Sequence, residues 1–351
     1  MKVYFSTLFL VLYFGFGLSA QTILSGVVTD SSNAPIPYAT VYLSKTTVAV
    51  LANNEGAFSM NIPQDGTYEM IISCIGFKSH SQIIIADGKN QKINVKLAEH
   101  IIVLSEILVH GKDRNRKNNL DLFKSHFIGN TTNAPFCTIK NPKDLVVYRT
   151  SNDSSLVAYS VKPITILNSA LGYEIVYDLK SFSYNLHTGH LRFSGDYYFQ
   201  DISNHKWKKS SINRSRLVAY YGSRMHFLRA LYTGTVSQES FEICNIESDS
   251  CGVKILTDAI QEDDIRFALT IEDMSLDFPN YIMIIYVDNH PELVVLPYVF
   301  RSNTYTSIIV FSDSVQVFKN GYYPDNFNIS WAGDMARDRI AEMLPYDFIP
   351  E

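Results

Sequence analysis

Residues 22–97 break into short apolar stretches of strand length, with turn chemistry about every ten residues. That rhythm leaves few folds open other than an all-β sandwich or barrel. Thr22-Ile-Leu-Ser-Gly-Val-Val-Thr29 alternates and runs into the turn cluster Asp30-Ser-Ser-Asn33, and Thr40–Leu43 is a second strand. Asn53-Asn-Glu-Gly56 asks for a residue tolerant of positive φ, which Gly56 supplies. Phe58–Ile62 follows, Pro63-Gln-Asp-Gly66 turns the chain again, and Glu69–Ser73, Ser81–Ile85 and Lys92–Leu97 complete six or seven strands. A β-sandwich is expected here, and such a module binds or spaces rather than catalyses.

The N-terminus carries Lys2, an apolar run from Val3 to Leu18 and the small residues Ser19 and Ala20. This is the pattern of a secretory signal. The run of about 16 residues is shorter than the ~20 that span a bilayer. Cleavage is expected near Ala20 or after Ser19. No Cys follows the run, so a lipoprotein anchor is not expected. What remains of the 351 residues is long for one core, so two domains are expected. Hydrophobic residues make up 46% of the chain, and 22 Tyr and 21 Phe supply sheet-forming material with faces to bury. A net charge of −5 gives no general attraction to nucleic acid. No later run of 18 apolar residues predicts a transmembrane span in the mature chain, and the many charged interruptions argue against a large outer-membrane barrel.

Gly26, Val28 and Asp30, then Pro35, Ile36, Ala39 and Val41, then Asn53, Asn54, Gly56 and Phe58, then Gly76 and Phe77 follow a family pattern. It reads G-x-V-x-D, P-[LI]-x-x-A-x-V, a T/N-D/N-x-G-x-F turn and a strand ending G-[FY]. The segment resembles the carboxypeptidase regulatory-like domain, a transthyretin-like or Ig-like sandwich common in envelope proteins of Bacteroidota. Asn54 stands where the family often has Asp, which weakens any cation site at that turn. Leu104-Ser-Glu-Ile-Leu-Val109 resembles the strand that follows this domain in TonB-dependent receptors, although no room remains here for their plug and barrel. None of the nine His is followed three places later by Glu, so the zinc pair of a metallocarboxypeptidase is lacking.

Gly111–Asn119 is polar and mostly basic and reads as a linker or helix lead-in. Leu120–Ile128 has the spacing of a short helix. Leu145–Tyr148, Leu156–Val161, Ile164–Leu167, Tyr173–Leu179, Phe182–Leu186 and His190–Phe193 read as antiparallel strands, with a hairpin turn at Asn185–Gly189. Gly222–Tyr232 is the strongest helix pattern: Ser223 is placed to cap it, and Met225, Leu228, Leu231 and Tyr232 share a face. Ile282–Val287, Leu293–Phe300, Ser307–Phe311 and Ser314–Phe318 are further strands, and Trp331–Leu344 is a short helix before Pro345. The pieces Phe127-x-Gly129-x-Thr131, Leu171-Gly-Tyr-x-Ile175, Gly222–Tyr232 and Leu344–Phe348 resemble an uncharacterised C-terminal region of many exported Bacteroidota proteins. The domain plan is a signal at 1–20, the sandwich at 21–100, an exit strand and linker at 101–119, and a β-rich α+β domain at 120–351. The fold class is mainly β, with antiparallel strands and a few helices in the second domain.

The chemistry is sparse. No nucleophile elbow, phosphate-binding loop, H-E-x-x-H or G-x-G-x-x-G is present. Ser203 and Lys206 fit S-x-x-K, a spacing expected by chance in a chain this long. His187 and His190 straddle a turn without an acid or Cys nearby to complete a metal site. His226 sits among apolar residues and reads as a satisfied histidine, and Glu262, Asp263 and Asp264 as a solvated acidic face. Cys244 and Cys251 flank a polar turn; they read equally as a disulfide or as two thiols, while Cys74 reads as a small core residue. Lys206, Lys208, Lys209, Arg214 and Arg216, with Arg224, His226 and Arg229, read as an exposed loop and helix approach or as a docking patch for an anionic polymer or phosphate-bearing lipid. No catalytic residue, metal or cofactor is assigned. The leading expectation is an exported, non-catalytic binding or scaffold protein, periplasmic or associated with the outer membrane, that recognises a protein or saccharide. The alternatives are a hydrolase built on His226, Arg224 and Arg229, and an accessory of a TonB-dependent system.

Overall fold

The computed structural model describes residues 21–99, 115–150, 154–203, 206–249, 252–259, 267–270, 273–276, 281–290, 293, 304–311, 315–324 and 329–351. The signal segment and the exit strand at Leu104–Val109 lie outside these residues.

The alternating segment forms eight strands: β1 (Thr22–Asp30), β2 (Thr40–Leu43), β3 (Ala49–Leu51), β4 (Ala57–Ile62), β5 (Gly66–Ser73), β6 (His80–Ala86), β7 (Gln91–Lys92) and β8 (Val95–Leu97). One sheet runs β4-β1-β7, with β8 also pairing β1; the other runs β3-β2-β5-β6. Period-two patterning explains the sandwich. Leu24 and Val28 of β1 point inward with Phe58, Met60 and Ile62 of β4, against Val41, Leu43, Met70 and Ile72 from the facing sheet. Gly56 has φ +71, as its turn requires. Gly26 answers a different demand, since a Cβ there would lie 1.7 Å from the Ile93 carbonyl oxygen where β1 passes from β7 to β8.

Beyond it, α1 (Arg116–Phe127) covers a sheet of β9 (Cys137–Ile139), β10 (Leu145–Arg149), β11 (Ser155–Ser160), β12 (Ile164–Asn168), β13 (Tyr173–Asn185) and β14 (Leu191–Asp201). The two strands expected at 173–186 are one, joined through a register shift between Leu179 and Ser181. Aromatic rings fill this core: Phe123 and Phe127 of α1 stack at 4.9 Å, and Phe127 meets Tyr177 edge-on at 5.2 Å.

Helix α2 (Lys206–Tyr220) leads into α3 (Arg224–Thr233). Ser223 caps α3, its hydroxyl accepting the His226 backbone N–H at 3.2 Å. The remaining strands are β15 (Phe241–Asp249), β16 (Gly252–Ala259), β17 (Phe267–Thr270), β18 (Asp273–Leu276), β19 (Tyr281–Val287), β20 (Thr304–Phe311), β21 (Val315–Val317) and β22 (Ile329–Gly333). The sheet β16-β15-β19-β20-β22 shares a second core with α3, in which Phe227, Leu228 and Leu231 meet Ile284 and Ile309.

Two expectations are corrected. The basic stretch 206–216 is helical, not a loop, because Ile212, Arg216, Ala219 and Tyr220 supply a buried side. The helix expected over Trp331–Leu344 is a strand through Gly333, then one short 3-10 turn at Asp334–Arg337. Pairing wins there because Ile329–Gly333 finds a full register against Phe311–Ser307. The expected strand Leu293–Phe300 lies outside the described residues except for Leu293.

The sandwich docks on the second region through its β2–β3 hairpin. Lys45 N–H donates to Tyr197 O at 2.7 Å and Phe199 N–H donates to Thr46 O at 2.8 Å. These bonds lie along β14, on the edge that β13 leaves open. The C-terminal tail locks the same loop: Tyr346 N–H donates to Lys45 O at 2.9 Å, and Asp347 accepts both the Thr47 backbone N–H at 2.9 Å and the Thr47 hydroxyl. Tyr42 packs on Tyr198 at 4.8 Å.

Candidate functional site

Where these elements converge, the chain leaves a cleft of about 520 Å³. That size lies within the ~300–1,000 Å³ of small-molecule sites. Its walls come from the start of β14, the first turn of α3, β22, the tail from Ala336 to Tyr346, and Lys45 of the sandwich. Six aromatic side chains line it: Tyr177, Phe193, Tyr197, Tyr323, Trp331 and Tyr346. Four cationic side chains, Lys45, Arg192, Arg224 and Arg339, face it with two carboxylates, Asp338 and Glu342.

Each wall is fixed from behind. The Trp331 indole N–H donates to the Tyr323 hydroxyl at 3.2 Å, which orients the ring. The Arg224 guanidinium sits 5.3 Å from the Trp331 ring centroid, and its Nε–H donates to Met335 O at 2.7 Å. Arg339 Nη1 donates to His126 O at 2.6 Å, and its Nε donates to Ala336 O at 3.4 Å. Lys45 is buried with φ +63, and its ammonium lies 5.0 Å from the Tyr322 ring centroid. Asp338 accepts the Arg224 backbone N–H at 2.9 Å, and Glu342 accepts the Asn133 amide at 2.8 Å.

Desolvation pushes the Asp338 carboxyl up to about 6, against the pull of Arg224. Its ordinary value is 3.8, so the folded state holds the proton more tightly between those limits. The resulting stability is fully present below about pH 4 and is lost as pH rises through about 6, by at most ~3 kcal/mol. Asp338→Asn is expected to flatten that slope. Melting temperatures of wild type and variant measured across this range should converge at the acid end and separate above it, with the wild type lower. Parallel curves would sink the assignment.

The structure separates the residues singled out from sequence. Lys206, Lys208, Lys209 and Arg214 lie on α2, where Lys209 and Arg214 are exposed. Arg216 is 8% exposed and faces the core side: it pairs with Asp201 at 3.0 Å, donates to the Leu171 and Gly172 carbonyls, and stacks on Tyr173. Arg229 donates to the carbonyls of Asn320, Tyr346 and Phe348. The group is therefore not one exposed patch, and only Arg224 among these residues reaches the cleft.

His226 is 2% exposed. Its Nδ1 accepts the Gly222 N–H at 3.1 Å, so Nε2 carries the proton and donates to Glu239 at 3.0 Å. Burial lowers its pKa, and both ring nitrogens are committed to these partners. His190 accepts from Arg192 Nε at 2.8 Å, and no group of three metal-ligating side chains gathers among the described residues. The Ser203 hydroxyl donates to Asp201 at 2.5 Å. Cys244 packs beside Met283, while Cys251 and the acidic run Glu262–Asp264 lie outside the described residues. Cys74 is half-buried against the sandwich core. Sequence reasoning missed Lys45, Arg192, Trp331, Asp338 and Arg339. Trp331, one of two Trp in the chain, was the one legible signal.

The chain is similar to a cohesin–X-dockerin complex of Acetivibrio cellulolyticus at 20% identity, covering 22% of this chain and 56% of that chain, with a TM-score of 0.19. It is similar to the 5-hydroxyisourate hydrolase of Klebsiella pneumoniae at 16% identity, covering 22% of this chain and 91% of that one, with a TM-score of 0.20. A candidate carbohydrate binding protein of Bacteroides uniformis is 8% identical over 50% of this chain and 95% of its own, with a TM-score of 0.20. The chain thus spans just over half of the first of these proteins. No curated protein matches the chain. The family model of the CarboxypepD_reg-like domain matches residues 24–109, from the inward-facing Leu24 of β1 to the end of the Leu104–Val109 segment. The chain carries a CarboxypepD_reg-like β-sandwich, followed by a second, mainly β region that supplies most of the cleft.

Proposed function

We propose that this protein is an exported, non-catalytic binding protein of the cell envelope and that the cleft seats a saccharide. The observation that carries the reading is the lining: six aromatic rings around about 520 Å³, interleaved with fixed charged groups. Aromatic faces cover the C–H surfaces of sugar rings, and oriented polar side chains hold the hydroxyls. His226 commits both nitrogens to structural partners, which favours binding over general-base chemistry. The Lys2–Ala20 pattern supports export.

Trp331→Ala is expected to weaken the strongest glycan bound by wild type by about tenfold or more, as removal of a central aromatic anchor does. Titration calorimetry on ligands drawn from a glycan array measures it, with a thermal melt confirming the fold. A wild type that binds no glycan, or a variant that binds as well as wild type, defeats the reading.

A further inference from the structure

We propose that the cleft selects saccharides bearing a carboxylate or phosphate, with Arg224 and Arg339 as the pair that grips the anion. This inference rests on the saccharide reading above and adds the charge class of the ligand.

The cleft reverses the sign of the molecule. Among the described residues, four cations against two carboxylates line it, in a chain whose net charge is −5. Its carboxylates do not neutralise the two arginines by direct pairing: Asp338 accepts a backbone N–H and Glu342 accepts an amide. No ion pair joins Arg224 or Arg339 to a carboxylate among the described residues. Each guanidinium is instead pinned by backbone carbonyls: Arg224 by Met335 O, Arg339 by His126 O and Ala336 O. Those contacts use Arg224 Nε and Arg339 Nε and Nη1, leaving both Arg224 Nη atoms and Arg339 Nη2 without a hydrogen-bond partner among the described residues.

The two charges feel one another, for Arg224 is among the causes that lower the Arg339 pKa, after burial. Two half-buried guanidiniums that line one cleft, neither of them in an ion pair among the described residues, are unfavourable in the empty protein. An anion between them relieves both repulsion and desolvation. The guanidinium fork matches planar carboxylates and phosphate oxygens in paired hydrogen bonds. Trp331, stacked beside Arg224, offers the adjoining surface for the sugar ring.

The test uses the full mature chain and an array of matched oligosaccharides. Glucuronate-, galacturonate-, sialate- and phosphomannose-terminated glycans are each set beside their neutral counterparts, and inorganic phosphate is titrated separately. An acidic member should bind at least about tenfold tighter than its neutral partner. Arg224→Gln or Arg339→Gln should erase that preference, so that the acidic and neutral partners bind alike. Lys96→Gln, the same charge change on an exposed strand of the sandwich, should leave the preference intact.

Carboxylate and phosphate arms identify the source of the anion. If either cleft variant melts early, wild type decides: rising salt must weaken the acidic glycan and spare the neutral one. Equal binding of acidic and neutral partners overturns this inference and leaves the saccharide reading standing. Phosphate binding that depends on Arg224, without any glycan binding, keeps the anion site and overturns the saccharide reading. Binding of none of these probes overturns both.

Discussion

Gly26→Ala is expected to cost the sandwich about 3 kcal/mol or more. A Cβ at this position would lie 1.7 Å from the Ile93 carbonyl oxygen and 3.0 Å from the Phe58 ring. Neither neighbour has a cheap way to move. The Ile93 backbone is fixed by its own N–H, which donates to Ser25 O at 2.8 Å, and Phe58 is a buried core ring. The control is Gly76→Ala, where φ is +88 and no atom lies within 4 Å of the added carbon. That change should cost only the ~1 kcal/mol of left-handed backbone strain. Urea denaturation of the two variants measures the contrast. A Gly26→Ala protein as stable as Gly76→Ala would show that the β7–β8 crossover is soft.

The next largest effect is expected at Arg229. Its Nε donates to Asn320 O at 2.9 Å, Nη1 to Phe348 O at 2.9 Å and Nη2 to Tyr346 O at 3.1 Å. Arg229→Met keeps most of the stem and removes all three donors. Stranding these carbonyls should cost on the order of 2–4 kcal/mol. The tail so released carries Asp347, the acceptor for Thr47, so the junction with the sandwich should weaken as well. Limited proteolysis should then cut the tail in the variant before the rest of the chain, with a lowered melting temperature. Arg229→Lys, which keeps the charge but not the planar fork, should fall between the two. A Met variant with wild-type melting and wild-type protease resistance would remove Arg229 from this role.

The sandwich was legible because its determinants are local. The longer strands β1, β4, β5 and β6 show their period over six to nine residues, and the turn at Asn53–Gly56 carries its own chemistry in Asn53, whose side chain accepts the N–H groups of Glu55 and Ala57. Helix α3 was legible for the same reason, through a cap and an apolar face. Helix α2 was not, because one of its buried positions is Arg216, whose burial depends on Leu171, Gly172 and Asp201 elsewhere in the fold. An apolar period cannot register a buried cation that is satisfied at long range.

The strand at Ile329–Gly333 was hidden similarly, since its β character comes from the partner strand rather than from its own residues. The cleft was least legible of all. Lys45, Arg192, Arg224 and Arg339 are far apart in sequence, and each looks like an ordinary surface charge until the tail and the hairpin bring them to one wall.

The hairpin bonds along β14 bear on how this protein can be taken apart. Lys45 and Thr46 cover the exposed rim of a sheet that belongs to the other half of the molecule. Excising residues 21–99 would strip that rim bare and leave a strand free to recruit a neighbouring chain. A deletion made to ask what the sandwich recognises would therefore yield a self-associating remnant, and its phenotype would report insolubility rather than lost recognition. Point changes inside an intact hairpin are the cleaner dissection.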